Sequence, residues 1–196
     1  MTATISKFVW LGFSLLWSVL RLRPGRRSRK TAVRYSGRDV REIVLLGCSL
    51  TGLGIVPFIY VVTGFPRFAN YPFTPLQAYL GIAVFVAVLW LFYRTHHDLG
   101  ANWSVSLDLR ERHTLVTTGV YARIRHPMYT GFWLMALAQV LLLPNWIAGF
   151  AGLAGFGTLF FGRVAREERM MLERFGDSYR AYMARTGRVF PSIFLK

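Results

Sequence analysis

Residues 76 to 93 read LQAYLGIAVFVAVLWLFY, eighteen residues without a single charge. A bilayer core of roughly 30 Å takes about 20 mainly apolar residues per helix, because unpaired backbone polar groups are too costly in hydrocarbon. This stretch meets that requirement, and it has company on both sides. ISKFVWLGFSLLWSVL runs from 5 to 20 and IVLLGCSLTGLGIVPFIYVV from 43 to 62. Two more runs, 128 to 143 and 146 to 162, stand back to back with only Pro144 and Asn145 between them. The pattern predicts an all-α integral membrane protein of about five transmembrane helices. The first and fourth runs are short, at 16 residues each, and four spans is the alternative count if either is interfacial or shielded by neighbours. The first run has only Lys7 ahead of it and no small-x-small cleavage site before Arg21. It therefore reads as a retained helix rather than a signal peptide.

Composition agrees with this reading. The chain is 54% hydrophobic and 16% aromatic, and 24 Lys and Arg against 9 Asp and Glu leave a net charge of +15. In a soluble protein such a charge would suggest nucleic acid or acidic lipid. Here position decides: nine of the cations lie in residues 21 to 41, five between Arg94 and Arg125, and eight between Arg163 and Lys196. Five spans put all three segments on one side. Short loops rich in Lys and Arg stay in the cytoplasm, so the N-terminus is expected outside and the polar segments of the C-terminal half inside. Topology and anionic headgroups account for the charge, leaving no need for a nucleic-acid partner. Cys48 lies within an apolar run and reads as a small packing residue.

Two regions follow. Residues 1 to 93 read as a three-helix scaffold with a basic cytoplasmic loop and an outer turn, GFPRFANYPFTP, whose aromatics suit the membrane interface. Residues 94 to 196 read as a catalytic region: a cytoplasmic loop, a helical hairpin over 128 to 162, and a cytoplasmic helical tail. Within the loop, a strand-like or irregular stretch is expected around Trp103 to Leu109. Pro127 suits an early helical position, which puts His126 at a helix entry. The last span continues unbroken into FGRVAREERMMLERFG, with Gly176 as its stop, and DSYRAYMARTG then predicts a short amphipathic helix. In it Tyr179, Tyr182 and Met183 read as packing residues. The glycines of GFAGLAGFGTLFFG predict close helix approach.

No G-x-G-x-x-G follows a strand, and there is no P-loop, G-x-S-x-G elbow or H-E-x-x-H pair. His96, His97, His113 and His126 have no convincing metal-ligand spacing, so no metal is expected. What stands out is HTLVTTGVYARIRHPMYTG, residues 113 to 131, followed about 30 residues later by RVAREERMMLERFGDSYRAY. R-H-P-x-Y alone has little specificity, since NADPH-using membrane sterol reductases carry a similar string and tail. The combination of H-T-L-V-T-x-G-V-Y, R-H-P-x-Y-x-G, a helical hairpin, R-x-x-x-E-E and F-G-x-x-Y-x-x-Y is far more specific. Over roughly residues 95 to 191 the chain resembles the isoprenylcysteine carboxyl methyltransferases and, more distantly, the phospholipid methyltransferases.

The resemblance implies that S-adenosylmethionine is contacted by His113, Thr114, Leu115 and Val116, by Tyr121, and by His126, Pro127, Met128 and Tyr129. It also implies that Arg163 and Glu167 lie in the site. Related eukaryotic enzymes carry a glutamine seven residues before H-T-L-V, where this chain has Ser106. The residue chemistry is compatible. A sulfonium cofactor needs an apolar slot, which Leu115, Val116 and Tyr121 can supply. His126 at a helix start can meet its carboxylate, and Glu167 its ammonium. His126 and Tyr129 can equally be read as interfacial anchors. Arg163 and Glu167, four residues apart, share a helix face and can be read as a surface ion pair. Glu168, Arg166 and Arg169 are expected to face water or headgroups.

The expected reaction is in-line methyl displacement onto a lipophilic acceptor, most simply an isoprenylcysteine-like or isoprenoid carboxylate. An ionised carboxylate needs no general base, so alignment and removal of water would carry the catalysis. Arg163 would orient the acceptor while Glu167 holds the cofactor, and the acceptor would enter sideways between helices. For an amine or hydroxyl acceptor, Glu167 or a histidine becomes the candidate base. Phospholipid N-methylation, an NADPH-dependent sterol-type reduction and a non-enzymatic scaffold are the alternatives. The partners expected are membrane lipids and a lipophilic or prenylated acceptor. Oligomeric state is not legible.

Overall fold

The computed structural model describes residues 1–29, 33–36, 39–100, 108–110 and 114–192. Helix α1 runs Ala3–Arg29. Helix α2, Val40–Leu50, passes through a π-helical turn, Thr51–Ile55, into α3, Val56–Thr63. Helix α4 covers Pro75–Leu99, α5 Pro127–Leu142, α6 Trp146–Phe175 and α7 Asp177–Arg185. Among the described residues, four helical stretches are long and apolar enough to cross a membrane: Ala3–Leu22, Val40–Thr63, Pro75–Leu99 and Trp146–Phe175. At 1.5 Å per residue α5 is only about 24 Å long, and it lies packed between α4 and α6. The chain is thus an all-α integral membrane protein, with one short addition. Strands β1, Val33–Ser36, and β2, Asp108–Arg110, pair antiparallel and join the basic loop to the segment after α4.

Local chemistry sets the helix ends. Asp39 caps α2 by accepting the Glu42 N–H at 2.8 Å. Thr74 and Gln77 form a reciprocal capping box ahead of α4, with Pro75 as its first residue, where the missing N–H has no helical partner to lose. The side chain of Asn145 accepts the N–H groups of Ile147 and Ala148, opening α6 after a link of only Leu143, Pro144 and Asn145. Helix α6 stops at Gly176, whose φ of +52° favours glycine.

Asn145 also fastens one end of the bundle, the turn expected from sequence to lie outside. Its amide donates to the Pro66 carbonyl at 2.7 Å and to Asn70 Oδ1 at 2.8 Å, and Tyr60 donates to that same oxygen at 3.0 Å. The outer turn is thereby tied to the α5–α6 corner, while its Phe65 and Phe68 remain exposed, as suits an interface.

Below this the core has two centres. Phe85, Val88, Met135, Ala138 and Leu142 pack α4 against α5 with Trp10 of α1. Leu45, Phe156, Leu159 and Phe160 pack α2 against α6 with Tyr129 of α5. The glycines of α6 let the second contact close: a Cβ on Gly155 would stand 2.4 Å from the Cys48 carbonyl oxygen, and one on Gly52 would stand 2.2 Å from the Ala151 carbonyl oxygen. The π-turn at Gly52 is anchored across the same contact, because buried Gln139 donates to the Gly52 carbonyl at 3.1 Å and the Ala148 carbonyl at 2.7 Å. Overpacking a close contact costs about 1–3 kcal/mol. Gly155→Ala should therefore lower thermal stability in detergent, while Gly12→Ala, whose added Cβ meets nothing within 4 Å, should leave it unchanged or higher. Equal melting behaviour of the two variants would contradict the close crossing.

Candidate active site

The polar end of the bundle is assembled from four segments far apart in sequence. The first is the stretch before α5. Gly119 has φ +61°, and a Cβ there would overlap the Asp98 carboxylate. Asp98, near the end of α4, accepts the Val120 N–H at 2.9 Å, which seats the 3-10 turn Gly119–Ala122 on that helix. Tyr121 in this turn is buried, and its carbonyl accepts the Tyr182 hydroxyl of α7 at 2.6 Å. Burial pushes the Tyr121 phenol far above the ordinary tyrosine range, with the Glu167 carboxylate adding to the effect. It pushes Tyr182 up to about 12. Both phenols stay neutral across the physiological range, so Tyr182 keeps the proton it donates.

The second segment is the chain after α7, which runs alongside residues 123 to 126. The Arg125 N–H donates to the Gly187 carbonyl at 2.8 Å, the His126 N–H to the Arg188 carbonyl at 3.0 Å, and the Gly187 N–H to the Arg123 carbonyl at 3.1 Å. Thr130 donates to the Val189 carbonyl at 2.6 Å. The tail thus covers the entry of α5, where Pro127 is the first helical residue and His126 its cap position.

Helices α6 and α2 complete the group. Glu167 accepts the Tyr129 hydroxyl at 2.5 Å, with His126 Nδ1 at 3.8 Å and Arg163 Nε at 3.7 Å from its carboxylate. Arg163 NH1 lies 3.0 Å from Glu42 of α2, whose side chain is 2% exposed. Next along α6, Glu168 gathers His126 Nε2 at 3.3 Å, Arg125 Nε at 3.2 Å and both Nε and NH2 of Arg188, at 3.1 and 2.5 Å. His126 and Tyr129 stack at 5.4 Å between ring centroids. A cavity of about 660 Å³ adjoins this group, lined by apolar residues of α1, α2, α4, α5 and α6, and by Met128, Tyr129 and Arg163 at its polar end.

Of the residues expected from sequence, Tyr121, His126, Pro127, Met128, Tyr129, Arg163 and Glu167 meet at this end of the bundle. Thr114, exposed, and Leu115 and Val116, half-buried, lie on the irregular approach to the Tyr121 turn. His113 and Ser106 lie outside the described residues, as do residues 103 to 107 of the expected irregular stretch. One expectation is corrected. Glu168 does not face water: its side chain is 6% exposed and knits α6, the α5 entry and the tail together. Arg166 is half-buried and pairs with Asp39 at 2.7 Å; Arg169 is exposed. A helix that buries one face alone would have exposed Glu168, but the returning tail buries a second face. Glu42, Arg125 and Arg188 escaped sequence reasoning as well. Glu42 had one available signal, an acidic residue at the mouth of an apolar run, where ionisable groups mark sites or partners.

The fold and site together define an integral membrane protein in which an apolar intramembrane cavity ends on a buried cluster of ion pairs. Residues 79–173, just under half of the chain, match the model of the isoprenylcysteine carboxyl methyltransferase (ICMT) family. It is similar to the protein-S-isoprenylcysteine O-methyltransferase of Schizosaccharomyces pombe, 30% identical over 154 residues that cover 76% of this chain and 64% of the relative. Proteins of the same name from Homo sapiens, 33% identical over 96 residues, and Saccharomyces cerevisiae, 33% over 99, match 48% and 50% of this chain. The matches span 34% and 41% of those two relatives, so the chain covers less than two thirds of each of the three.

Removing one partner from a buried ion-pair network leaves uncompensated charges and costs about 3–5 kcal/mol. Glu168→Ala should destabilise the purified protein by that amount in chemical denaturation, against no measurable change for exposed Glu173→Ala. Equal stability of the two would show that the Glu168 cluster is not formed.

Proposed function

We propose that the chain is a methyltransferase that moves a methyl group from S-adenosylmethionine to the carboxylate of a lipophilic acceptor of the isoprenylcysteine kind. The observation that carries this reading is the cavity: about 660 Å³ of mainly apolar space that ends on Arg163 and Tyr129, beside Glu167. The family match and the names of the three relatives support it.

The residues present fit the cofactor. Of the three glutamates around Arg163 and His126, Glu42 and Glu168 are enclosed, at 2% and 6% exposure, whereas Glu167 is 31% exposed. Glu167 is therefore the carboxylate with room for an ammonium group, and the Tyr129 hydroxyl and Arg163 fix its direction. His126 stands beside it at the entry of α5, where unpaired N–H groups and partial positive charge suit a carboxylate. Tyr121 supplies a buried aromatic wall next to Glu167. We assign the cofactor to these four residues with Pro127, Met128 and Thr114 to Val116 around them.

S-adenosylmethionine supplies a methyl group on a cationic sulfur, an electrophile that an ionised carboxylate can attack unaided. A methyl transferred this way would exchange its bond to sulfur for one to oxygen, leaving the electron pair on sulfur and asking no residue of this chain to move a proton. This chain's part is to align and to exclude water. Arg163, held from behind by Glu42 and from the side by Glu167, orients the acceptor's carboxylate without being able to turn fully toward it. The apolar walls hold the acceptor's hydrocarbon. Leu15, Ile55 and Phe58 line the cavity and are also exposed on the lipid side, which supports sideways entry between α1 and the α2–α3 stretch. The one-sided distribution of cations supports a cytoplasmic placement of the polar end.

Calorimetry in detergent tests the reading. S-adenosylmethionine should bind saturably, and Glu167→Ala or His126→Ala should weaken binding at least about tenfold, or ~1.4 kcal/mol, while Glu173→Ala leaves it intact. Undiminished binding in both site variants, or selective binding of NADPH instead, would sink the assignment.

A further inference from the structure

The cavity has a closed end as well as a charged one. Its lining runs from Trp10 to Arg21 on α1 and from Leu46 to Phe58 on the α2–α3 stretch. At 1.5 Å per residue these spans are about 16 and about 18 Å long, so two separate elements give the cavity much the same depth.

Beyond Trp10 the bundle is stapled shut. Ser6 donates to the Leu142 carbonyl of α5 at 2.7 Å, and the Lys7 ammonium lies over the Tyr60 ring of α3, 3.8 Å from its centroid. Tyr60 in turn donates to Asn70. Trp10, 3% exposed, packs in the same apolar core as Tyr60, Met135 and Leu142. Its indole N–H is buried with no hydrogen-bond partner among the described residues, a cost that a phenylalanine would avoid. What the larger ring brings is its bulk. The side of the cavity is looser, since Leu15, Leu50, Ile55 and Phe58 line it and are exposed. A chain that fills the cavity meets a fixed wall at its tip, and any excess length has to turn out between α1 and the α2–α3 stretch.

An extended chain of three isoprene units reaches about 15 Å and a fourth unit adds about 5 Å, given C–C bonds of about 1.5 Å. We propose that Trp10 is a specificity-determining residue, the floor that matches the cavity to an acceptor chain of three isoprene units and disfavours one of four. This deepens the methyl-transfer reading and rests on it for the placement of the acceptor's hydrocarbon in this cavity. Trp10 lies outside residues 79–173, so the limit belongs to the first helix of this chain and not to the segment that the family model matches.

The test uses the full chain in lipid nanodiscs and three N-acetylcysteines carrying S-geranyl, S-farnesyl or S-geranylgeranyl groups. They are compared at equal mole fraction in the bilayer as competitors of a fluorescent farnesyl analogue. The wild-type protein should bind the farnesyl compound at least about fivefold more tightly than the geranylgeranyl one, the scale of one overpacked contact. Trp10→Ala should abolish or reverse that order by improving the geranylgeranyl compound, whereas loss of a purely structural residue weakens all three alike. Ser14 lines the cavity one turn nearer the charged end. Ser14→Phe should raise the floor by about 6 Å, the rise of four residues, and make the geranyl compound the tightest of the three. That shift decides the matter even if Trp10→Ala does not fold. Equal affinity of the farnesyl and geranylgeranyl compounds in the wild-type protein overturns the proposal, as does a wild-type order that persists in folded Trp10→Ala or in Ser14→Phe. If none of the three competes, the acceptor reading falls and the floor with it, while competition without regard to chain length overturns the floor alone.

Discussion

Arg163 of α6 and Glu42 of α2 meet 3.0 Å apart inside an otherwise apolar bundle, and the rest of the site is built on that contact. Neither charge is tolerable there alone, because desolvation of an unpaired ion costs several kcal/mol, while the pair recovers much of this through close approach. The contact requires α2 and α6 to run side by side, which the Gly52 and Gly155 crossing permits. It also fixes the arginine at the end of the cavity, one helical turn before Glu167. Packing between small residues thus sets the position of a charge, and the charge sets where chemistry can occur.

A second layer of ion pairs holds the first in place. Glu168 binds His126, Arg125 and Arg188, so the α5 entry and the returning tail are fastened to α6 beside Glu167. Tyr182 and Asp98 do the same for the Tyr121 turn from α7 and α4. Glu167 is left as the carboxylate with partial access, bounded by Tyr129, His126 and Arg163. The two adjacent glutamates therefore differ in kind: one closes the structure and its neighbour stays partly accessible.

Much of the architecture was legible in the sequence, since apolar length and caps are local properties. The long apolar runs became helices, Gly176 stopped α6, and residues 177 to 185 formed the short helix that DSYRAYMARTG foretold. The motif strings also brought Tyr121, His126, Tyr129, Arg163 and Glu167 to one place. What escaped notice depends on partners distant in sequence. Helical periodicity turned Glu168 toward water because nothing local announces that residues 186 to 189 return along 123 to 126. Glu42 and Arg21 looked like parts of a basic loop and its border; only the packing of α2 against α6 brings Glu42 to Arg163, and only the packing of α1 against α4 and α5 puts Arg21 on the cavity wall. The β1–β2 pairing is likewise a contact between loops some seventy residues apart.

Delivery of a methyl group to a carboxylate at the charged end of this cavity is open to direct measurement in purified protein in bilayers, given S-adenosylmethionine labelled in its methyl group and an S-prenylcysteine acceptor. Label should appear in the acceptor as a base-labile ester that releases labelled methanol in alkali. Label that resists alkali and stays with lipid headgroup amines, or no label in the acceptor at all, would contradict it.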